Sequence, residues 1–306
     1  MPTMETEPGT ASPSAIAISW LAASAAFPLA LIGAALGQGI GALAGGCGWI
    51  GVALPLDRQV WALVNQPVLN FSSLPSASGY WLGSTLLPLA VALTVIGFLP
   101  RGRSLVIELT VVQIAWAMSV VAVAWLPLLD LEDGHIVRFF ALHGRPTALV
   151  WLAPAIAACS VLLPALRLLE LTRRRRSEVS RSYRLLVVAF HFGVPTITWV
   201  AVVSLVRGSL PLTATIAMAV PVAAALVFTW FRFPRPYAHR LELPKASEIC
   251  GLAIAAAVLG VTVWFVGRPL PDDRSAGFLW GQAQSFNNIR PWIDCQTVTD
   301  TEIDQN

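Results

Sequence analysis

The densest group of chemistry-bearing side chains in this chain of 306 residues lies between residues 130 and 146. Asp130, Glu132, Asp133, His135, Arg138, His143 and Arg145 stand within sixteen residues of one another. Two imidazoles and nearby carboxylates could take a metal, and guanidinium forks suit phosphate or a lipid headgroup. Arg207 falls on the same expected side of the molecule and could join them. His135, Arg138, His143, Arg145 and Arg207 are therefore candidate anion or headgroup ligands. The competing reading is a solvated loop in which Ile136, Val137, Phe139 and Phe140 dip into an apolar boundary.

Three further polar residues interrupt apolar runs. His191 is a candidate haem or pigment ligand or, alternatively, a hydrogen-bonding partner for a neighbouring helix. Glu108 and Gln113 are five apart, so they fall on different parts of one helix surface. Ionisable residues inside a membrane are costly and commonly functional. The only lysine is Lys245, in an expected loop, which excludes a retinal Schiff base within a span. Gly33, Gly37, Gly41 and Gly45 recur every fourth residue and form a small-residue ladder of the kind that packs helices closely. No Lys-Ser/Thr follows them, so they do not make a phosphate-cradling loop. The four cysteines (Cys47, Cys159, Cys250, Cys295) are too widely spaced for a CxxC metal or redox motif.

The elements that must carry these residues are set by an oily composition. The chain is 56% hydrophobic and 12% charged, with a mean hydropathy of +0.68. Soluble domains carry about 25% charged residues. The shortfall excludes a soluble enzyme, a disordered chain and a nucleic-acid binder. Runs near 15–36, 80–99, 104–129, 147–169, 185–206, 211–231 and 249–267 each approach the roughly 20 apolar residues that cross a bilayer. Lipid offers backbone groups no partners, so these runs must be helical. The expected fold is all-α, a polytopic integral membrane bundle of about seven transmembrane helices occupying residues 14–267. Residues 37–55 are open between a tilted extension, a re-entrant piece and an interfacial one.

Basic residues orient the bundle. The loops around 101–103, 167–184 and 232–245 hold 13 Lys/Arg against 7 on the other side. The positive-inside rule places the richer side in the cytoplasm. Residues 1–13 are then a disordered cytoplasmic N-terminus, with no basic region of a cleaved signal peptide. Residues 268–306 form an extracytoplasmic tail whose Phe278, Trp280, Phe286, Ile289 and Trp292 suit docking on a partner or lying along the interface.

Residues 56–110 contain an outer LDR…W.LVN segment, a Gly-containing start to the next span and a short basic hairpin. Arg138–FFALHG–Arg145–Pro146 has the spacing of a basic residue, six positions, then Arg-Pro. Together, residues 56–146 resemble the type 2 phosphatidic acid phosphatase superfamily. That resemblance implies an integral membrane enzyme acting on lipid or isoprenoid phosphates at the outer face. The chain departs from the pattern further on. No Pro-Ser-Gly-His follows, and SLVRGSLPLTATI (204–216) lacks the nucleophilic His and its Asp partner. A fainter resemblance, in Asp130–Leu131–Glu132–Asp133–Gly134–His135, is to site-2 protease-type membrane proteins. The matching zinc helix would fall at Gly37–Gln38–Gly39–Ile40–Gly41, which has Gly at both His positions.

With no intact catalytic constellation, the expected function is a non-catalytic integral membrane subunit or scaffold of the cell (inner) membrane. It would pack against partner helices, with the bilayer as its medium and no role for nucleic acid. The alternatives are a lipid- or isoprenoid-phosphate phosphatase-like enzyme, and a pigment- or haem-binding protein using His191. The sequence names no cofactor.

Overall fold

The computed structural model describes residues 13–44, 48–53, 61–65, 74–98, 104–124, 152–173, 180–207, 212–232, 242 and 244–266. Most of these are helical; two strands form a ribbon, and Ser104 and Glu242 make an isolated parallel bridge. Helix α1 (Pro13–Ala44) leads into the antiparallel strands β1 (Gly48–Ala53) and β2 (Trp61–Asn65). Then come α2 (Leu74–Phe98), α3 (Leu105–Ala124) and α4 (Leu152–Arg173). Helix α5 (Arg181–Val188) passes through a π-helical turn, Ala189–Gly193, into α6 (Val194–Arg207). Helices α7 (Leu212–Phe231) and α8 (Ala246–Val266) complete the described chain.

Each of the seven apolar runs is helical where it is described. Among the described residues, three stretches are long and apolar enough to cross a membrane by length and composition: Pro13–Gly41, Leu105–Val123 and Arg181–Val202. Leu82–Phe98, Met218–Phe231 and Ala246–Thr262 are shorter apolar helices. Within residues 37–55, helix α1 continues to Ala44 and Gly48–Ala53 is a strand of the ribbon. At 1.5 Å per residue its 32 residues reach about 48 Å, longer than the hydrocarbon of a bilayer. The ribbon, not foreseen in an all-α chain, pairs Gly48 with Asn65 and Ala53 with Trp61. A register shift between Trp49 and Gly51 bulges β1.

The core forms around α3. In its Leu105–Val123 window 83% of residues are buried, against 56% for the α1 window. A helix that is apolar all round belongs in the middle of a bundle, because no face of it needs water. Ile18, Ala22, Ala26, Phe27, Ala30 and Ala34 of α1 share its core with Val112, Trp116 and Val120 of α3 and Leu168 of α4. The alanines, each four residues from the next, let α1 lie close without displacing larger neighbours. Large apolar residues left outside, such as Leu86, Ile197, Val227 and Ile254, give the bundle an oily exterior.

Helix ends carry local caps. Ser180 accepts from the Tyr183 N–H at 3.2 Å and starts α5. Glu248 accepts from the Lys245 backbone N–H at 3.0 Å, the returning half of a capping box, and starts α8.

A buried polar spine on the central helix

Five side chains of α3 and the residue preceding it, all in an apolar core, end on other helices. Ser104 donates to Glu248 Oε2 of α8 at 2.8 Å. Glu108 accepts from Arg167 Nη2 of α4 at 2.8 Å. Gln113 Nε2 donates to the His191 carbonyl at 2.6 Å. Trp116 Nε1 donates to Thr196 Oγ1 of α6 at 3.0 Å. Ser119 Oγ donates to the Ser160 carbonyl of α4 at 3.3 Å. Glu108 and Ser119 are eleven residues apart, close to three turns, so both meet α4. Gln113 and Trp116 are three apart and both meet the π turn and α6.

Two of these acceptors exist because of prolines. Within an α-helix the N–H of residue i serves the carbonyl of residue i−4, and proline has no N–H to give. Pro195 thus leaves the His191 carbonyl without its usual donor, and Gln113 takes it. Pro164 leaves the Ser160 carbonyl in the same state, and Ser119 takes it. In lipid a carbonyl so released must find a donor on a neighbouring helix. The π turn just before Pro195, where the Val194 N–H reaches back to the Ala189 carbonyl, belongs to the same adjustment. We expect Gln113→Leu to cost about 1 kcal/mol in thermal unfolding in detergent. In a Pro195→Ala background, where the helix can supply its own N–H, that cost should largely vanish; equal losses in both backgrounds would refute the coupling.

His191 lies inside the π turn and is 3% exposed. A hydrogen bond joins its Nδ1 to the Ser19 hydroxyl of α1, itself fully buried. Phe192 stacks on Trp116 with ring centroids 4.0 Å apart and planes 3° from parallel. Phe27 and Trp199 stack at 5.7 Å, tying α1 to α6. The imidazole is thus tied to α1, and the backbone carbonyl of the same residue to α3. Gln113 Oε1 is buried with no hydrogen-bond donor among the described residues.

At one end of the bundle the spine becomes ionic. Arg167 is 7% and Glu108 3% exposed, and Arg167 Nη1 also reaches Glu170 at 3.3 Å. Arg184, 2% exposed, donates through Nη1 to the Arg232 carbonyl at the end of α7. These positions correct the sequence reading, which placed Arg167 and Arg184 in a cytoplasmic loop. Both lie inside helices and are buried. Without them the basic asymmetry stands at eleven against seven. Ahead of the apolar run 249–267, Glu248 has its carboxyl held below the usual range, first by the Lys245 backbone N–H and then by the Ser104 hydroxyl.

The glycine ladder divides. A Cβ on Gly37 or Gly41 would overlap the carbonyls of Gly83 and Gly79 of α2, and the reverse holds for those two. The pairing Gly37–Gly83 and Gly41–Gly79 makes α1 and α2 antiparallel. Gly33 instead meets the Met118 side chain of α3, where a Cβ would find ordinary room at 3.4 Å. Gly45 lies outside the described residues. An apolar groove of about 450 Å³ opens along the crossing, lined by Ile40, Ala44, Leu82, Leu86 and Ala90 beside the glycines.

His135, Arg138, His143 and Arg145, with the rest of the 130–146 cluster, lie outside the described residues. So do residues 1–12 and the tail from 267. Arg207 closes α6. Among the described residues no three His, Cys, Asp or Glu side chains gather as a metal site. Reading the sequence singled out Glu108, Gln113 and His191 but missed Ser19, Arg167 and Thr196. The available signal for Arg167 was a cation inside an apolar run, opposite a lone carboxylate in another. Ser19 and Thr196 carried no such signal, since single hydroxyls are common in membrane helices. No family model, curated protein or solved structure matches the chain.

Proposed function

We propose that this protein is a non-catalytic integral membrane subunit or scaffold of about seven spans, sited in the cell (inner) membrane with its N-terminus in the cytoplasm. The observation that carries this reading is the polar spine. Ser104, Glu108, Gln113, Trp116 and Ser119 all end on α4, α6, α8 or the π turn. The polar capacity of the interior goes into holding helices in register. Buried polar contacts of this kind are well suited to specifying one arrangement in a medium where apolar packing alone discriminates poorly. The oily exterior supports lipid as the surroundings, and the arginine-rich ends of α4, α5 and α7 support the orientation. The aromatic tail supports a partner on the outer side.

The test is purification from native membranes in mild detergent, with an absorption spectrum and a phosphatase assay on the same sample. Companions at fixed stoichiometry, lost when residues 276–306 are deleted, are the expected result. Release of phosphate from an isoprenoid diphosphate, abolished by Arg145→Ala, would replace the scaffold reading with an enzyme. A visible or Soret band abolished by His191→Ala would replace it with a pigment or haem protein.

A further inference from the structure

Two polar side chains at the π turn have opposite imbalances. Gln113 is fully buried. Its Nε2 donates to the His191 carbonyl, while its Oε1 receives no hydrogen bond among the described residues. Thr196, 2% exposed, accepts from Trp116 Nε1 and makes no second hydrogen bond among the described residues. A helical threonine can place its hydroxyl hydrogen on the carbonyl four residues back, as Thr198 does on Val194 and Thr229 on Ala225. For Thr196 that carbonyl would be Phe192, inside the π turn, and the bond is not made. A spare acceptor and a spare hydrogen therefore remain in an apolar interior, where each is costly.

Both belong to one contact between helices. Gln113 and Trp116 are three residues apart on α3 and end on His191 and Thr196. A helical carbonyl points toward the C-terminal end, so the His191 carbonyl that seats Gln113 points at the turn bearing Pro195 and Thr196. Pro195 puts no N–H there, and the longer reach of the π bond widens the backbone at this level. We propose that an ordered water molecule is bound between α3 and the π turn, donating to Gln113 Oε1 and accepting from the Thr196 hydroxyl. A single water cancels both imbalances, and its second hydrogen goes to a carbonyl of the turn. The site goes beyond the scaffold reading and does not depend on it.

The full-length protein, purified in mild detergent, is equilibrated in heavy-oxygen water and exposed to a brief X-ray pulse. Radiolysis turns bound water into hydroxyl radicals that react within a few ångströms, and mass spectrometry reads the heavy oxygen residue by residue. The reporters are the stacked rings of Trp116 and Phe192, both fully buried. Exposed Trp230 is the positive control, and buried Phe27, on α1, reports any general entry of solvent. In the unaltered protein Trp116 or Phe192 should take up heavy oxygen while Phe27 stays unlabelled. Gln113→Met and Thr196→Val should each abolish that label, and Thr196→Ser, which keeps the hydroxyl, should retain it. Labelled Trp230 with neither reporter labelled in the unaltered protein overturns the proposal, whether or not any variant folds. So does labelling of Phe27 to the same extent as the reporters, or an undiminished label in Gln113→Met and Thr196→Val.

Discussion

Gly41→Ala and Gly79→Ala are each expected to lower the stability of the purified protein by about 3 kcal/mol, and Gly41→Leu to prevent its accumulation. The added Cβ has nowhere to go. It would overlap a backbone carbonyl of the facing helix, and a carbonyl, unlike a side-chain tip, cannot swing aside. Relief requires α1 and α2 to separate, which breaks the Gly37–Gly83 contact as well, so the loss spreads along the crossing. The control lies in the same molecule. Gly97, Gly251 and Gly260 have no neighbour within 4 Å of the position a Cβ would take. Alanine there should be neutral or stabilising by up to about 1 kcal/mol, since glycine is a poor helix former. Gly33→Ala should resemble the controls, because only the flexible Met118 tip faces it. Thermal unfolding in detergent ranks all of these. A uniform response across the glycines would mean that the crossing is not the close contact described.

The second large effect concerns the ion pair. Glu108 and Arg167 are joined at 2.8 Å with side chains 4% and 8% exposed. Arg167→Met should destabilise by about 3–5 kcal/mol, because it takes the guanidinium away from a carboxylate held in an apolar interior. Glu108→Leu should do the same to the guanidinium, although Glu170 remains as a second partner and should soften that loss. The double variant Glu108→Leu/Arg167→Met should recover most of the stability, since a matched apolar pair avoids desolvating two charges. A double-mutant cycle measures this directly. Additive losses, with no recovery in the double variant, would show that the two residues act separately.

These predictions mark how far the sequence could be read. Its helical runs were legible in composition, because long apolar stretches with so few charges can satisfy their backbone groups within a single helix. The four-residue glycine spacing announced close packing, and the separation of Glu108 from Gln113 announced different partners. What escaped was everything that depends on which helix lies beside which. A step of four residues over-rotates a 3.6-residue helix by about 40°, so the glycine ladder turns from α3 at Gly33 to α2 at Gly41, and the linear pattern cannot name either partner. Arg167 and Arg184 read as loop charges because they border arginine-rich connectors. Only the arrangement of α3 and α7 shows that their heads point inward.

The same division holds for the prolines. Pro164 and Pro195 are visible in the sequence as residues that release a carbonyl four positions earlier. That Ser119 and Gln113 supply the missing donors is decided by the tertiary structure, because a hydrogen bond between residues 41 or 78 positions apart in the chain has no local signature. The sequence by itself determined the oily, charge-poor composition, the helical class and the places where helices could approach or lose a backbone bond. The tertiary structure decided the pairings, the central position of α3 and the ribbon after α1. The physical reason is that burial and backbone satisfaction are properties of a segment, whereas partner choice depends on two distant surfaces meeting in one register.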